Sequence, residues 1–159
     1  MQHVQTRSTT SALVLTAVLI ALATLFTMYT KIPVPGIRGY FNVGDVVIMT
    51  SALLFGRKYG AYIGAIGPAL ADLFLGYAVF VPITFVVKGI EGYLVGTVYN
   101  HKTTTSALVA TIVGGIVIVA GYFIAEYFVF DPGVAIASIL TNAIQAVMSV
   151  IVSIILYAI

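Results

Sequence analysis

Six apolar segments separated by short polar turns dominate this sequence, and they constrain its fold more than any other feature. Apolar residues make up 61% of the chain and charged residues 8%, with a mean hydropathy of +1.14. Soluble domains carry charge on about 25% of their residues. The composition therefore indicates an integral membrane protein, and we expect residues 1–159 to form a single transmembrane domain.

The bounds of the six segments follow from hydropathy and from turn-forming residues. A helix needs ~20 apolar residues to cross a hydrocarbon core, so the short second segment must be tilted or partly interfacial. Pro33, Pro35 and Gly39 stop the first helix from continuing, GRKYG predicts a tight charged turn, and DPG ends the fifth segment. We predict helices at about residues 11–28, 42–55, 61–77, 82–99, 106–128 and 134–159.

Basic residues in the turns predict the orientation of these helices. Because cytoplasmic loops carry an excess of Lys and Arg, the side with more basic residues should be cytoplasmic. If the N-terminus is inside, four of these basic residues are cytoplasmic, namely Arg7, Arg57, Lys58 and Lys102. Two are then outside, namely Lys31 and Arg38. We therefore predict an all-α membrane protein, a compact bundle of six transmembrane helices with short loops and both termini cytoplasmic.

The acidic residues gather toward the outer side of this predicted bundle. Ionisable groups within a bilayer are costly, and they usually have a partner or a function. All five acidic residues lie outside the membrane or between its outer face and its middle, namely Asp45, Asp72, Glu91, Glu126 and Asp131. This distribution predicts a pocket for a polar ligand near the outer face, and it does not indicate a continuous ion pathway.

Two helices supply candidate ligand-binding residues. Lys88 and Glu91 are three residues apart in helix four, so they share a helical face and can pair. They form either an ion pair that neutralises itself or, with Asp72 opposite, a site presenting both signs of charge to a ligand. Asn142 and Gln145 share a face of helix six, where hydrogen bonding between helices is an equal alternative to ligand contact.

The loop before helix two is the predicted lid of the pocket. Tyr40 and Phe41 could stack on a planar ring, and Asn42 offers a donor and an acceptor, although an interfacial aromatic pair is an equal interpretation. The predicted ligand-binding residues are Tyr40, Phe41, Asn42, Asp72, Lys88, Glu91, Asn142 and Gln145.

Small residues at four-residue spacing predict close helix packing. Gly60 and Gly64 of helix three, and Gly92 and Gly96 of helix four, form such rows. Ala17 and Ala21 form a similar pair on helix one, whose role the spacing alone does not define.

Catalysis and nucleic-acid binding find no support in the sequence. The chain has no cysteine, and its two histidines, His3 and His101, lie in polar segments. No phosphate-binding loop, zinc spacing or nucleophile motif is present, and low charge without a basic cluster argues against nucleic acid. We therefore expect no enzyme activity, no metal and no cofactor.

Three segments together resemble the S components of energy-coupling factor (ECF) transporters, in particular the riboflavin-transporter-like group that includes hydroxymethylpyrimidine and pyridoxine carriers. These segments are YFNVGDVVIMTSALLFG, IGPALADLFLGY and FVVKGIEGYLVG. The resemblance covers nearly the whole chain. It implies a ligand site near the outer face, covered by the loop after helix one.

The resemblance also implies partners and a function. In that family an alanine motif, here Ala17 and Ala21, packs on a membrane coupling (T) subunit driven by two cytoplasmic ATPases. The expected function is capture of a small vitamin or precursor, hydroxymethylpyrimidine or pyridoxine before riboflavin, and its delivery across the cell membrane of a prokaryote by reorientation in the membrane. From a different class, the alternatives are a small autonomous channel and a scaffold subunit of a membrane complex.

Overall fold

The computed structural model describes residues 9–35, 38–100 and 103–159, which form six helices and one pair of short strands. Every predicted helix is present, with its ends within four residues of the predicted bounds. The elements are α1 (Thr9–Tyr29), β1 (Ile32–Pro33), β2 (Tyr40–Phe41), α2 (Gly44–Phe55), α3 (Arg57–Phe74), α4 (Phe80–Val98), α5 (Thr104–Val129) and α6 (Pro132–Ala158). Predictions that concern His3, Arg7, His101 and Lys102 fall outside the described residues.

Four of the described helices, α1, α4, α5 and α6, are long and apolar enough to cross a membrane. α2 has only 12 residues, about 18 Å at 1.5 Å per residue. α3 carries Arg57, Lys58 and Asp72 within its 18 residues. A bundle with six complete spans therefore remains a prediction.

Two ends of the bundle can be distinguished by their aromatic contacts. Tyr40 of β2 packs on Tyr77 with ring centroids 4.9 Å apart, and Phe80 packs on Phe130 at 5.4 Å. These contacts join the strand pair to the α3–α4 and α5–α6 turns, and we call this the hairpin end. At the opposite end the Tyr99 and Tyr157 hydroxyls are hydrogen-bonded at 2.6 Å.

α2 is a central helix of the bundle, and whether it is tilted or partly interfacial in the membrane stays a prediction. Nine of its 12 residues are buried. Just before its start, the Asn42 N–H donates to Gln145 Oε1 at 2.9 Å, and Gln145 is the fourteenth of the 27 residues of α6. α2 therefore begins near the mid-depth of the bundle, and the strand pair lies on the hairpin-end side of its first residue.

The turns show why the helices begin and end where they do. Gly56 has a φ of 92°, a left-handed conformation that costs glycine little, and α3 begins at the next residue. The predicted GRKYG turn is thus confined to Gly56. At α6, Asp131 Oδ1 accepts from the N–H groups of Gly133 and Val134 at 2.8 and 3.0 Å, so the helix break predicted at DPG includes an N-cap.

Backbone-to-backbone contact holds α3 against α4. A Cβ atom built on Gly92 would overlap the backbone of Gly60, and one built on Gly64 would overlap the carbonyl of Lys88. The predicted small-residue rows of the two helices therefore face each other. Their close approach fixes the position of Lys88, whose side chain continues from this contact into the site described below.

We expect Gly92→Ala to destabilise the protein by about 1–3 kcal/mol, because an added methyl group in a fully packed contact forces the backbones apart. Thermal unfolding in detergent would measure this loss. Gly115→Ala on α5 is the matched control, since the nearest atom to its methyl group would be the Ala146 Cβ, at 3.2 Å. Equal stability of the two variants would contradict the close α3–α4 contact.

Candidate ligand-binding site

A small polar cavity of about 30 Å³ lies between the strand pair and the helices. A cavity needs ~10–15 Å³ of such volume to hold one water molecule. Six of the eight predicted ligand-binding residues line it, namely Tyr40, Asn42, Asp72, Lys88, Asn142 and Gln145. Further polar lining comes from residues that were not predicted to bind ligand, namely Thr27, Thr84, Tyr122, Glu126 and Ser138.

Lys88 is the buried cation of this site. Its side chain is 1% exposed, and its ammonium group contacts the Asp45 carboxylate directly. The predicted partner Glu91 is also present, with Oε2 at 3.6 Å from the ammonium nitrogen. Lys88 therefore lies between two carboxyl groups, and Asp45, which was not predicted as a site residue, is the closer one.

Asp45 connects Lys88 to α6. Its second oxygen, Oδ2, accepts a hydrogen bond from Gln145 Nε2 at 2.7 Å. Gln145 Oε1 in turn accepts from the Asn42 backbone N–H. The resulting chain of contacts joins α4, α2, α6 and the loop after β2. Gln145 therefore bonds between helices, and its contact with a ligand stays a prediction.

Tyr40 attaches the strand pair to α3. Its hydroxyl donates to Asp72 Oδ1 at 2.6 Å. Burial first, and then the neighbouring Asp72 carboxyl, raises the pKa of the Tyr40 hydroxyl above its usual value, so this hydroxyl stays a donor at physiological pH. The strand pair therefore covers the cavity through a specific bond between a phenol and a carboxyl group.

Two predicted residues do not line the cavity. Phe41 follows Tyr40 in β2, and successive side chains of a strand point to opposite sides, so only one of the two faces the cavity. Glu91 is fully buried, and neither of its oxygens has a hydrogen-bond partner among the described residues. Glu91 contacts Lys88, which lines the cavity, and does not line the cavity itself.

The two alanines predicted to dock a partner, Ala17 and Ala21, are both exposed on α1. They do not pack inside the bundle, whereas the nearby Ala23 and Thr24 do. Within the part of the chain that the structure describes, no group of three or more potential ligating side chains could hold a metal ion.

The fold is thus a bundle of largely apolar helices that encloses a small polar cavity. A sequence model of the family described as "ECF-type riboflavin transporter, S component" matches residues 7–159. The chain belongs to this family, whose members are transport subunits and not enzymes. The resemblance noted in the sequence is thereby confirmed.

Individual relatives agree with the family assignment. The chain is 42% identical over 132 residues to an uncharacterised protein of Pyrococcus woesei encoded in the gap 3′ region, covering 81% of this chain and 87% of that protein. It is 31% identical over 140 residues to the thiamine precursor transporter HmpT of Lactococcus lactis subsp. cremoris, covering 87% and 78%.

A solved structure supports the fold. The crystal structure of the S component for biotin from an ECF-type ABC transporter superposes with a TM-score of 0.62 at 19% identity, covering 96% of this chain and 95% of that one. At this identity the likeness concerns the fold alone. It establishes the helical bundle described above as the S-component fold.

Proposed function

We propose that this protein is the substrate-capture subunit of an ECF importer, and that it binds hydroxymethylpyrimidine or pyridoxine in the cavity beneath the strand pair. The observation that carries the proposal is the polar cavity itself, where Lys88, Asp72 and Asn142 meet beneath Tyr40. The 31% identity to a thiamine precursor transporter supports the choice of ligand.

The size of the cavity favours a small ring. A volume of about 30 Å³ must widen for any vitamin, and the bond between Tyr40 and Asp72 is the contact that would open. A single pyrimidine or pyridine ring needs far less widening than the three fused rings of riboflavin. Riboflavin is the second candidate because the family description names it.

Delivery of the ligand requires partners. We infer a membrane coupling subunit that contacts the exposed Ala17 and Ala21, and two cytoplasmic ATPases that drive it, in the cell membrane of a prokaryote. Small exposed residues permit close approach of another helix in a bilayer. A channel is not favoured, because the polar lining belongs to one cavity at the hairpin end.

Equilibrium binding by the purified protein tests the ligand assignment. We expect hydroxymethylpyrimidine or pyridoxine to bind at least about tenfold more tightly than riboflavin, a difference of ~1.4 kcal/mol. Tighter binding of riboflavin would contradict the assignment. Ion conductance by the protein alone in planar bilayers would instead support a channel.

The proposal also requires the hairpin end to face outward. Ile32 in β1 is 57% exposed, and Lys58 at the opposite end is exposed as well. Because the chain has no cysteine, Ile32→Cys and Lys58→Cys each introduce a single thiol. We expect an impermeant maleimide added to whole cells to label only Ile32→Cys. Labelling of Lys58→Cys alone would reverse the topology.

A further inference from the structure

Glu126 is a buried carboxyl group in the cavity that has unused hydrogen-bonding capacity. It lies near the end of α5, lines the cavity and is 2% exposed. Its Oε2 atom has no hydrogen-bond partner among the described residues. No ion pair joins it to a basic group in the described part of the chain, where the only ion pairs are those of Lys88.

Acidic groups outnumber basic groups in the buried interior. Among the described residues, one buried ammonium group, that of Lys88, faces four buried carboxyl groups, namely those of Asp45, Asp72, Glu91 and Glu126. Lys88 contacts Asp45 and Glu91, and Tyr40 donates to Asp72. Glu126 is therefore the carboxyl group of the cavity that is left for a ligand.

A buried polar atom without a partner costs free energy, which a ligand that supplies the missing bond recovers. An oxygen of a carboxyl group accepts hydrogen bonds from amino groups and from protonated ring nitrogens, and such bonds are strong when either partner is charged. An anionic substituent, in contrast, would enter a cavity that already carries an excess of carboxyl groups and would be disfavoured.

We propose that Glu126 selects the ligand by accepting a hydrogen bond from an N–H donor on a planar heterocycle. The cavity therefore takes an amino-substituted or protonated ring, and it excludes phosphorylated or carboxylated forms of the same ring. This inference rests on the proposed function, since it specifies the substrate class of that same site.

The chain offers a matched control for Glu126. Glu91 is also a buried glutamate with unpartnered oxygens, but it does not line the cavity. Glu126→Gln and Glu91→Gln therefore make the same chemical change at a cavity-lining and a non-lining position. Thermal unfolding of both variants identifies any loss of binding that merely follows from a loss of folding.

The test measures affinities for ring pairs that differ at one position. The pairs are 4-amino-5-hydroxymethyl-2-methylpyrimidine with its analogue that lacks the 4-amino group, and pyridoxine with its analogue in which CH replaces the ring nitrogen. In each pair only the first member carries an N–H donor. For the pair that binds, we expect the wild-type protein to prefer the member with the N–H donor at least about tenfold. Glu126→Gln should reduce that preference, because an amide oxygen is a weaker hydrogen-bond acceptor than a carboxylate, while Glu91→Gln retains it. The phosphate ester of the preferred ring should bind at least about tenfold more weakly.

Several results would overturn the role of Glu126. One is wild-type protein that binds the member without the N–H donor at least as tightly as the other, a result that needs no variant to be folded. Another is an equal loss of affinity for both members in Glu126→Gln. If riboflavin alone binds, the ligand assignment of the proposed function fails. In that case the role of Glu126 is tested with riboflavin as the ligand. A tenfold loss of riboflavin affinity in Glu126→Gln supports Glu126 as the acceptor for an N–H donor, and an unchanged affinity overturns that role.

Discussion

Replacing Lys88 with methionine is expected to destabilise the protein by about 3–5 kcal/mol, the usual cost of removing one partner from a buried ion pair. Lys88 is 1% exposed and contacts both Asp45 and Glu91. Without its ammonium group, two buried carboxyl groups lose their positive neighbour. Denaturant unfolding in mixed micelles would measure the loss, and ligand affinity should fall by more than tenfold in the same variant.

Asp45 provides the control for this prediction. The double variant Asp45→Asn with Lys88→Met removes both charges of the closer pair, so it should recover a large part of the stability lost in Lys88→Met. The single variant Asp45→Asn should also be unstable, because Lys88 would keep only the more distant Glu91. Wild-type stability of Lys88→Met would contradict the central role of this ion pair.

Replacing both Ala17 and Ala21 with tryptophan is expected to abolish assembly with a coupling subunit, and with it vitamin uptake, while ligand binding by the isolated protein stays within about twofold of wild type. Both alanines are exposed on α1, so the large side chains displace lipid and not the core. Close helix approach in a bilayer depends on small residues. Co-purification with the coupling subunit and uptake by whole cells are the measurements.

A matched control places two tryptophans at the same four-residue spacing on another exposed surface. Leu140 and Ile144 of α6 are 69% and 50% exposed, and their replacement should leave assembly intact. Normal assembly of the α1 variant would show that this face does not dock a partner. A loss of assembly in both variants would show that tryptophan on any lipid-exposed face is disruptive.

Hydropathy and turn chemistry were sufficient to predict the helices, because each apolar segment is bounded by residues that stop a helix, such as Gly56 and Asp131. The glycine rows of α3 and α4 were also predicted, since glycines at four-residue spacing let two membrane helices approach closely. The strand pair was not predicted. Its strands have two residues each, too few for a period-two pattern to be recognised.

The partners of the buried charges were harder to predict. The spacing of Lys88 and Glu91 correctly predicted a contact within α4, but helical spacing cannot reveal a partner on another helix. Asp45 reaches Lys88 because α2 begins at mid-depth, and that depends on how the strand pair folds into the bundle. Asp45 follows Asn42 of the predicted lid loop closely in sequence, and this proximity was the available signal that Asp45 belongs to the site.

The residues that line the cavity were hard to predict for the same reason, since they come from different helices. Tyr40 and Phe41 were indistinguishable by sequence, yet the register of β2, with Tyr40 paired to Pro33, places Tyr40 at Asp72. Glu126 was predicted at the correct depth but was not selected as a site residue. Which face of α5 meets the cavity depends on the packing of that helix, and an almost uniformly apolar helix gives little periodic signal.

Identification of the ligand retained on purification tests the central claim most directly. Cells that express the protein would be supplied with hydroxymethylpyrimidine, pyridoxine and riboflavin together, and the purified protein would be examined by native mass spectrometry. The proposed function predicts one bound molecule with the mass of hydroxymethylpyrimidine or pyridoxine, retained less by a folded Glu126→Gln variant than by Glu91→Gln. Bound riboflavin, or a ligand retained equally by both variants, would contradict it.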